Sequence, residues 1–312
     1  MDFIACDIVI PGKLVRFLEH HANVAFAGTR DSDLVPFGHR VSGWRVGADH
    51  RTITFLFPDE FRARLLESLQ QNGALAVTLE EFPSHETYQF KGRFVRHREI
   101  QDADLENVDR IRQRFVKSLR PMYPHAPEDV LKRFVSPPSL AVDTKRFKTS
   151  SRCSRYFYRR PDPAREPASS RRWTDEKLMA RLPPEIRPVL DNGTPAVMVT
   201  CSADGTPNTT VISQVYYVDE THAALSFQFF SKTIRNVREN PRAFVCVFDI
   251  AGQAHWALQL AFERSETEGP IFDAMEMQIE AIASMTGMSG IFKLRAADIY
   301  RVLSVEKVPH AD

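Results

Sequence analysis

One order of predicted helices and strands occurs twice in this chain of 312 residues, with an offset of about 170 residues between the two copies. In the first half, apolar periodicity and turn residues predict, in order, helix 13–21, strands 24–29, 34–46 and 52–57, helix 58–71, strands 74–80 and 85–98, helix 102–119 and strand 139–147. The second half predicts helix 184–190, strands 195–201, 209–218 and 223–230, helix 231–239, strands 243–249 and 255–264, helix 270–284 and strand 291–308. Each half is therefore predicted to be one folding unit of about six strands.

This pattern favours a mainly β architecture with helices, of the α+β class. Most strands follow one another without an intervening helix, so we expect two paired antiparallel barrels rather than a parallel doubly wound sheet. The chain is also longer than the roughly 250 residues at which a single hydrophobic core stops growing. The predicted domains are residues 1–149 and 179–312, and residues 150–178 form a linker rich in Arg, Pro and Ser.

The overall charge excludes several kinds of partner. A formal net charge of +1 gives no general attraction for nucleic acid or for an anionic membrane, so we expect neither as a partner. The linker combines its arginines with Tyr156, Phe157 and Tyr158, which leaves a nucleic-acid-binding arm as the alternative to a solvated connector.

The cysteines and the N-terminal segment indicate in which cellular compartment the protein is expected. The four cysteines stand far apart, without a CxxC pair or zinc-ligand spacing, so we expect reduced thiols and no metal site. The N-terminal segment lacks the basic start of a signal peptide, and no apolar run approaches the roughly 20 residues that cross a bilayer. These observations predict a cytoplasmic protein.

The strongest local signal is the triplet Ser231-Lys232-Thr233, which opens a short predicted helix directly after an apolar strand. Helix N-termini present unpaired N–H groups and the positive end of the helix dipole to an anion. The hydroxyls add donors, and Lys232 adds a full charge worth about 4 kcal/mol against a unit anion at about 4 Å and an effective dielectric of about 20. The triplet favours a phosphate site, and a serine N-cap beside an incidental lysine is the alternative.

Together with its neighbours, this triplet resembles the FMN-binding split-barrel family related to pyridoxamine 5'-phosphate oxidase. Five segments in order carry the resemblance, namely AVMVT at 196–200, DGTPN at 204–208, VISQV at 211–215, SKTIRNVRENP at 231–241 and FVCVF at 244–248. It covers residues 182–308 well and residues 13–147 faintly. Sites of this family lie between two barrels, so the resemblance implies two tandem split β-barrels that form a pseudo-dimer within one chain.

The resemblance also implies where a cofactor would lie. The flavin ring would lie along the second and third strands, and its phosphate would lie at the Ser-Lys turn. By position, the cofactor-binding residues are Thr210, Ile212, Ser213, Gln214, Gln228, Phe230, Ser231, Lys232, Thr233 and Arg235. Neighbouring strand residues point to opposite faces, so we expect some of this set to face away from the ring.

The function implied by the resemblance is an FMN-dependent oxidoreductase acting on an unknown small molecule, with catalytic residues undetermined. A deazaflavin and haem are alternative cofactors, and a non-catalytic flavin or haem carrier, store or sensor is the alternative function. Oxidation of pyridoxamine phosphate itself is disfavoured, because strand 255–262 and tail 304–312 lack the arginines that hold that substrate in the family. Split barrels of this type usually pair, which implies a homodimer of the two-barrel chain.

The first half departs from the second at the phosphate turn, where Phe57-Pro58-Asp59-Glu60 replaces Phe230-Ser231-Lys232-Thr233. Pro58 suits the first position of a helix, and the two carboxylates suit the helix dipole. They would also repel a phosphate by an amount comparable to the attraction of Lys232. We therefore predict that the first half has lost its phosphate site and that the chain binds one flavin.

Other residues have both a functional and a packing interpretation. His255 and Trp256 could face the flavin, and core packing is the alternative. From the first half, His39, Arg40 and Trp44 could reach across the barrel interface toward the flavin.

Overall fold

The chain forms two antiparallel sheets of seven strands each, with helices between the strands. The computed structural model describes residues 9–82, 84, 86–121, 124–152, 180–191, 196–227, 231–249, 251–285 and 293–310.

The N-terminal half opens with α1 (Gly12–Arg16), which continues as one π-helical turn (Phe17–His21). Its strands are β1 (Val24–Arg30), β2 (Pro36–Arg40), β3 (Gly43–Val46), β4 (Ile53–Phe57), β5 (Ala74–Glu81), β6 (Glu86–Arg98) and β7 (Leu140–Arg152). Its further helices are α2 (Arg62–Asn72), α3 (Asp102–Leu119) and α4 (Glu128–Lys132).

The C-terminal half opens with a 3-10 turn (Pro184–Ile186) that leads into α5 (Arg187–Asp191). Its strands are β8 (Ala196–Cys201), β9 (Pro207–Ile212), β10 (Val215–Asp219), β11 (His222–Phe227), β12 (Arg242–Asp249), β13 (Ala254–Glu266) and β14 (Ala296–Pro309). Its longer helices are α6 (Ser231–Glu239) and α7 (Pro270–Met285).

The two sheets have the same strand order. The first runs β2-β1-β5-β6-β7-β4-β3, and the second runs β9-β8-β12-β13-β14-β11-β10, so each strand of one half has a counterpart in the other. This correspondence confirms the predicted α+β fold of two tandem barrels.

Each sheet closes on itself through a bend that the sequence did not predict. The strands at its two ends follow one another in the chain, joined by Val41 and Ser42 in the first half and by Ser213 and Gln214 in the second. We predicted one continuous strand in each place, since neither pair of bend residues contains a Gly or Pro that would signal a break. The sheet can close only if that strand turns, so each half has seven strands rather than six.

The barrels pack against each other through β1, β2 and β5 of the first and β8, β9 and β12 of the second. The centre of this interface is apolar, and the Phe37 and Phe244 ring centroids lie 4.5 Å apart. Two glycines allow the close approach. A Cβ at Gly38 would lie 2.4 Å from the Phe244 ring, and one at Gly28 would lie 2.6 Å from Thr209 Oγ1.

Two further predictions from the sequence concern the linker and membrane-spanning helices. Of the predicted linker, residues 150–152 extend β7, and residues 153–178 lie outside the described ranges. Among the helices of the described ranges, none is long and apolar enough to cross a membrane.

The glycine contacts give a stability prediction. Replacing Gly38 by Ala forces the buried Phe244 ring to move, so the free energy of unfolding should fall by about 1–3 kcal/mol. Gly12→Ala is the matched control, because a Cβ at Gly12 meets nothing within 4 Å. Urea unfolding of both variants measures the difference, and equal stability would contradict this explanation of the interface.

Candidate functional site

Helix α6 is fixed against the start of the C-terminal sheet by polar contacts that its sequence encodes. Asn236 Nδ2 donates to Thr200 Oγ1 at 3.0 Å, and Asn208 Nδ2 donates to Thr233 Oγ1 at 3.4 Å. All four side chains are buried, and Val237 packs into the barrel core. These contacts hold the N-terminal turn of α6, with Lys232 on its exposed side, at the first residues of β9.

A lysine of the other barrel reaches the same place. Lys91, on β6, donates from Nζ to the main-chain oxygen of Pro207 at 2.6 Å, across the barrel interface. Burial, and after it the charge and hydrogen bond of Lys232, lower the pKa of Lys91 to about 7. Asp204 acts in the opposite direction with a smaller effect, and its carboxylate already accepts bonds from Ser202 and Thr206.

The structure thus brings two amines of opposite barrels into contact. Like charges at this distance repel, and a partly buried lysine beside another lysine gives up its proton more readily. Such a pair is unfavourable in itself and becomes favourable when an anion lies between the two amines. A lysine with a lowered pKa where two domains meet is a candidate for a binding site.

Further bonds across the interface position β9. Gln89 Nε2 and Thr78 Oγ1 both donate to the Thr209 main-chain oxygen, at 2.6 and 2.9 Å. Thr209 Oγ1 donates back to the Ala76 oxygen at 3.3 Å. Because of these bonds, the strand predicted to carry the cofactor ring is held by the N-terminal barrel.

The predicted cofactor residues are placed as follows. Lys232 and Arg235 are exposed on α6 and Thr233 is buried at its first turn, while Thr210 is buried on β9. Ser213 and Gln214 form the bend after β9. The Gln214 side chain bonds Gln278 of α7 through Nε2, and its Oε1 is buried without a partner among the described residues.

Four of the predicted cofactor-binding residues place no described side chain at this site. Ile212 is enclosed in the core of the C-terminal barrel, as alternation along a strand requires of some members, so we leave it out of the site. Gln228 and Phe230 lie outside the described residues. Ser231 begins α6, and its side chain lies outside the described part of the chain.

Sequence reasoning missed Lys91. The signal lies in the alternation of β6, where Tyr88 and Phe90 enter the N-terminal core while Gln89 and Lys91 point to the opposite face. Polar residues on the outer face of a barrel strand are compatible with solvent and with contact to another domain. The contact of Gln89 and Lys91 with the C-terminal barrel can therefore be recognised only once the two barrels are docked.

The corresponding loop of the N-terminal barrel has a different chemistry. We predicted a helix from Pro58, but α2 begins at Arg62, because Phe61 takes a left-handed conformation (φ 57°) and ends the turn formed by residues 58–61. Glu60 pairs with the buried Arg40 at 3.2 Å and accepts a bond from Ser136 at 3.3 Å. The loop therefore offers no cation to an anion.

His255 lies beside Glu60, which is in the loop of the N-terminal barrel, and not beside Lys232. Its Nε2 lies 3.7 Å from Glu60 Oε2, and its ring stacks on that of His310 with centroids 5.8 Å apart. Burial, followed by the charges of Arg40 and His310, lowers the pKa of His255 to about 2, so the ring is neutral at pH 7. A cavity of only about 10 Å³ remains in this place, the space of a single water molecule.

The other aromatic and basic candidates are also structural. Trp44 is buried in the N-terminal core and donates from Nε1 to the Leu18 oxygen at 2.9 Å. His39 and Arg40 lie at the Glu60 side of the interface, and burial lowers the pKa of His39 to about 3. Among the described residues, no cluster of three or more His, Cys, Asp or Glu could hold a metal ion.

The comparisons with known proteins concern the C-terminal barrel. Residues 182–302 match the family model described as pyridoxamine 5'-phosphate oxidase. The match includes β9, the bend after it and α6, so it contains Lys232, while Lys91 comes from the barrel outside the match. None of the curated proteins compared with the chain matches it.

Solved structures similar to the chain include several proteins. An FMN-binding protein from Syntrophomonas wolfei is 15% identical, with 40% of this chain and 85% of that chain covered and a TM-score of 0.34. HupZ of Group A Streptococcus is 19% identical, with 42% and 99% covered and a TM-score of 0.33. HutZ of Vibrio cholerae, described as a haem storage protein, is 15% identical, with 40% and 94% covered and a TM-score of 0.29. At this level of similarity these proteins say nothing about the function of the chain.

The buried ion pair gives a second stability prediction. Arg40→Met leaves Glu60 without its cation in a buried place, so the free energy of unfolding should fall by about 3–5 kcal/mol. The double variant Arg40→Met/Glu60→Gln should recover most of that loss, because neither charge is then buried alone. Arg181→Met is the control, since Arg181 and its partner Glu220 are both largely exposed, and it should cost less than about 1 kcal/mol. If Arg40→Met costs no more than Arg181→Met in urea unfolding, Arg40 does not neutralise a buried Glu60 carboxylate.

Proposed function

We propose that the chain binds FMN, one molecule per chain, and acts as a flavin-dependent oxidoreductase on a small molecule. The observation that carries the proposal is the contact between Lys91 and Lys232 at the N-terminal turn of α6. The family match of the C-terminal barrel supports a flavin as the anion bound there.

The residues present fit a phosphate group. A phosphate monoester carries about −1.5 to −2 charges at pH 7 and three acceptor oxygens. The two ammonium groups would balance that charge, and the first N–H groups of α6 would add donors with the positive end of the helix dipole. Binding would also remove the repulsion that now lowers the pKa of Lys91.

The bend after β9 fits the polar edge of a ring. Gln214 is fully buried, its Nε2 is held by Gln278, and its Oε1 has no partner in the described chain. An acceptor fixed in this way suits a donor such as the imide N–H of a flavin. When bound, FMN would supply a hydride acceptor, and the chain would contribute binding, orientation and exclusion of water.

The arrangement supports one flavin rather than two. At the counterpart of the Lys232 turn, Glu60 lies between Arg40, Ser136 and His255, and the space left there is far too small for a nucleotide. We attribute the identical strand orders to a tandem duplication after which only the C-terminal barrel kept its phosphate turn, while the N-terminal barrel supplies Lys91.

A charge reversal tests the site directly. Lys232→Glu should weaken FMN binding by at least about 30-fold, equivalent to about 2 kcal/mol, because it replaces an attraction with a repulsion. Lys232 is exposed, so its replacement leaves the barrel core intact. Arg238→Glu, another exposed residue on the same helix, is the control and should change the affinity by less than about fivefold.

Absorbance of the purified chain, followed by titration with FMN, provides the measurement. A flavin spectrum with a saturation point of one FMN per chain supports the proposal. A haem Soret band favours the alternative haem carrier or store, and a stoichiometry of two overturns the interpretation of the N-terminal loop. Flavin bound without any oxidation of a substrate or reductant would favour a flavin store.

Proton uptake provides a separate test of Lys91. In the ligand-free protein Lys91 is mostly neutral above pH 7, whereas a bound phosphate should restore its charge, so FMN binding at pH 8.5 should take up close to one proton. Calorimetry in buffers of different ionisation enthalpy measures this uptake. Lys91→Met should abolish it, and Lys132→Met, on the exposed side of α4, should not.

The lowered pKa of Lys91 also affects the stability of the ligand-free protein. Lys91 has a lowered pKa in the folded state, so between pH 7 and its ordinary pKa of 10.5 the unfolded chain binds more protons than the folded chain. The stability of the ligand-free protein should therefore rise with pH across that interval, and Lys91→Met should remove this contribution. A pH-independent difference between the two proteins would contradict the assignment.

A further inference from the structure

The N-terminal barrel contains a cleft that is separate from the interface between the barrels. It lies between α3, β3 and the π-helical turn, and its volume is about 650 Å³, within the range of ligand-binding pockets. Of its apolar lining residues, Val46 is half-buried, whereas Leu18 and Trp44 are almost fully buried. The cleft is thus large enough for an organic molecule, and far larger than an inorganic ion requires.

The lining of the cleft is basic. Its cations are Arg45, Arg110, Arg114 and Lys117, while Glu19 is the one acidic side chain among the described residues of the lining. Arg110 and Arg114 are four residues apart on α3, a spacing at which like charges destabilise a helix. Arg45 shares its partner, the buried Asp104, with Arg98, so that carboxylate does not neutralise both arginines.

The Arg114 guanidinium is only partly satisfied by the chain. Its Nη1 donates to the Glu19 main-chain oxygen at 2.5 Å, while its Nε is buried without a hydrogen-bond partner among the described residues. Burial, followed by the charge of Arg110, lowers the pKa of Arg114. An arginine in this condition gains from a nearby anion, both by hydrogen bonding and by relief of repulsion.

We infer that this cleft binds a small aromatic anion, that is, an aromatic ring bearing a carboxylate, sulfonate or phosphate. The ring would lie against the half-buried Val46 and the arginine side chains of the lining, and the acidic group would lie among the arginines of α3. Arginine suits both requirements, because its planar guanidinium binds oxyanions and also stacks on aromatic rings. This site does not depend on the interface site, since the two share no residue.

Anilinonaphthalene sulfonate is the probe that tests the site, because it combines an aromatic body with one anionic group and fluoresces when bound. The full-length chain is titrated with the dye both without FMN and in the presence of excess FMN. Arg110→Glu should weaken dye binding by roughly five- to tenfold, the effect of one charge contact at a partly exposed place. Lys117→Glu should act in the same direction. Arg51→Glu, which makes the same change of charge at an exposed place outside the cleft, should leave the affinity unchanged.

A neutral analogue separates charge from apolar contact. Phenylnaphthylamine has the same ring system without the sulfonate, and its binding should be weaker and insensitive to Arg110→Glu. Thermal unfolding checks that each variant is folded. The inference is overturned if Arg110→Glu and Arg51→Glu weaken dye binding equally, if neither changes it, or if the neutral analogue responds to Arg110→Glu as the dye does.

Discussion

The contact between the two barrels is the constraint on which the candidate site depends. Gly28 and Gly38 lack the side chains that would hold the barrels apart, so Phe37 can pack on Phe244 and β9 can bond to β5 and β6. At that separation, Lys91 of β6 reaches the start of β9 and the first turn of α6. A wider interface would separate the two amines, because each barrel supplies only one of them.

The Glu60 turn and the Lys232 turn occupy corresponding positions in the two barrels, and they differ in how charged groups are paired at the interface. On the Glu60 side, opposite charges neutralise each other and two neutral histidines fill the remaining space. On the Lys232 side, the chain holds two amines together, and burial and the charge of Lys232 lower the pKa of Lys91 to about 7. The first arrangement is stable without a ligand. The second is a local strain that an anion relieves, in agreement with the general finding that functional sites reduce stability.

The sequence was sufficient for elements whose signals are local. The bounds of α3 and α6 agree with prediction, because a cap or a preceding strand and a proline or turn mark their ends. The bends at Ser42 and Ser213 were not predictable, since neither Val41-Ser42 nor Ser213-Gln214 contains a Gly or Pro, and only closure of the sheet requires them. The start of α2 was wrong because Phe61 takes a left-handed conformation that interrupts the helix predicted from Pro58, while Glu60 beside it pairs with the distant Arg40 of β2. Lys91 was missed for the same kind of reason, as it meets Lys232 from the other half of the chain.

The most direct test is a crystal structure of the full chain with FMN. We expect one FMN per chain, with phosphate oxygens within hydrogen-bond distance of both Lys91 Nζ and Lys232 Nζ. A phosphate that contacts one barrel only, or one that occupies the Glu60 turn, would contradict the claim that the two barrels build this site together.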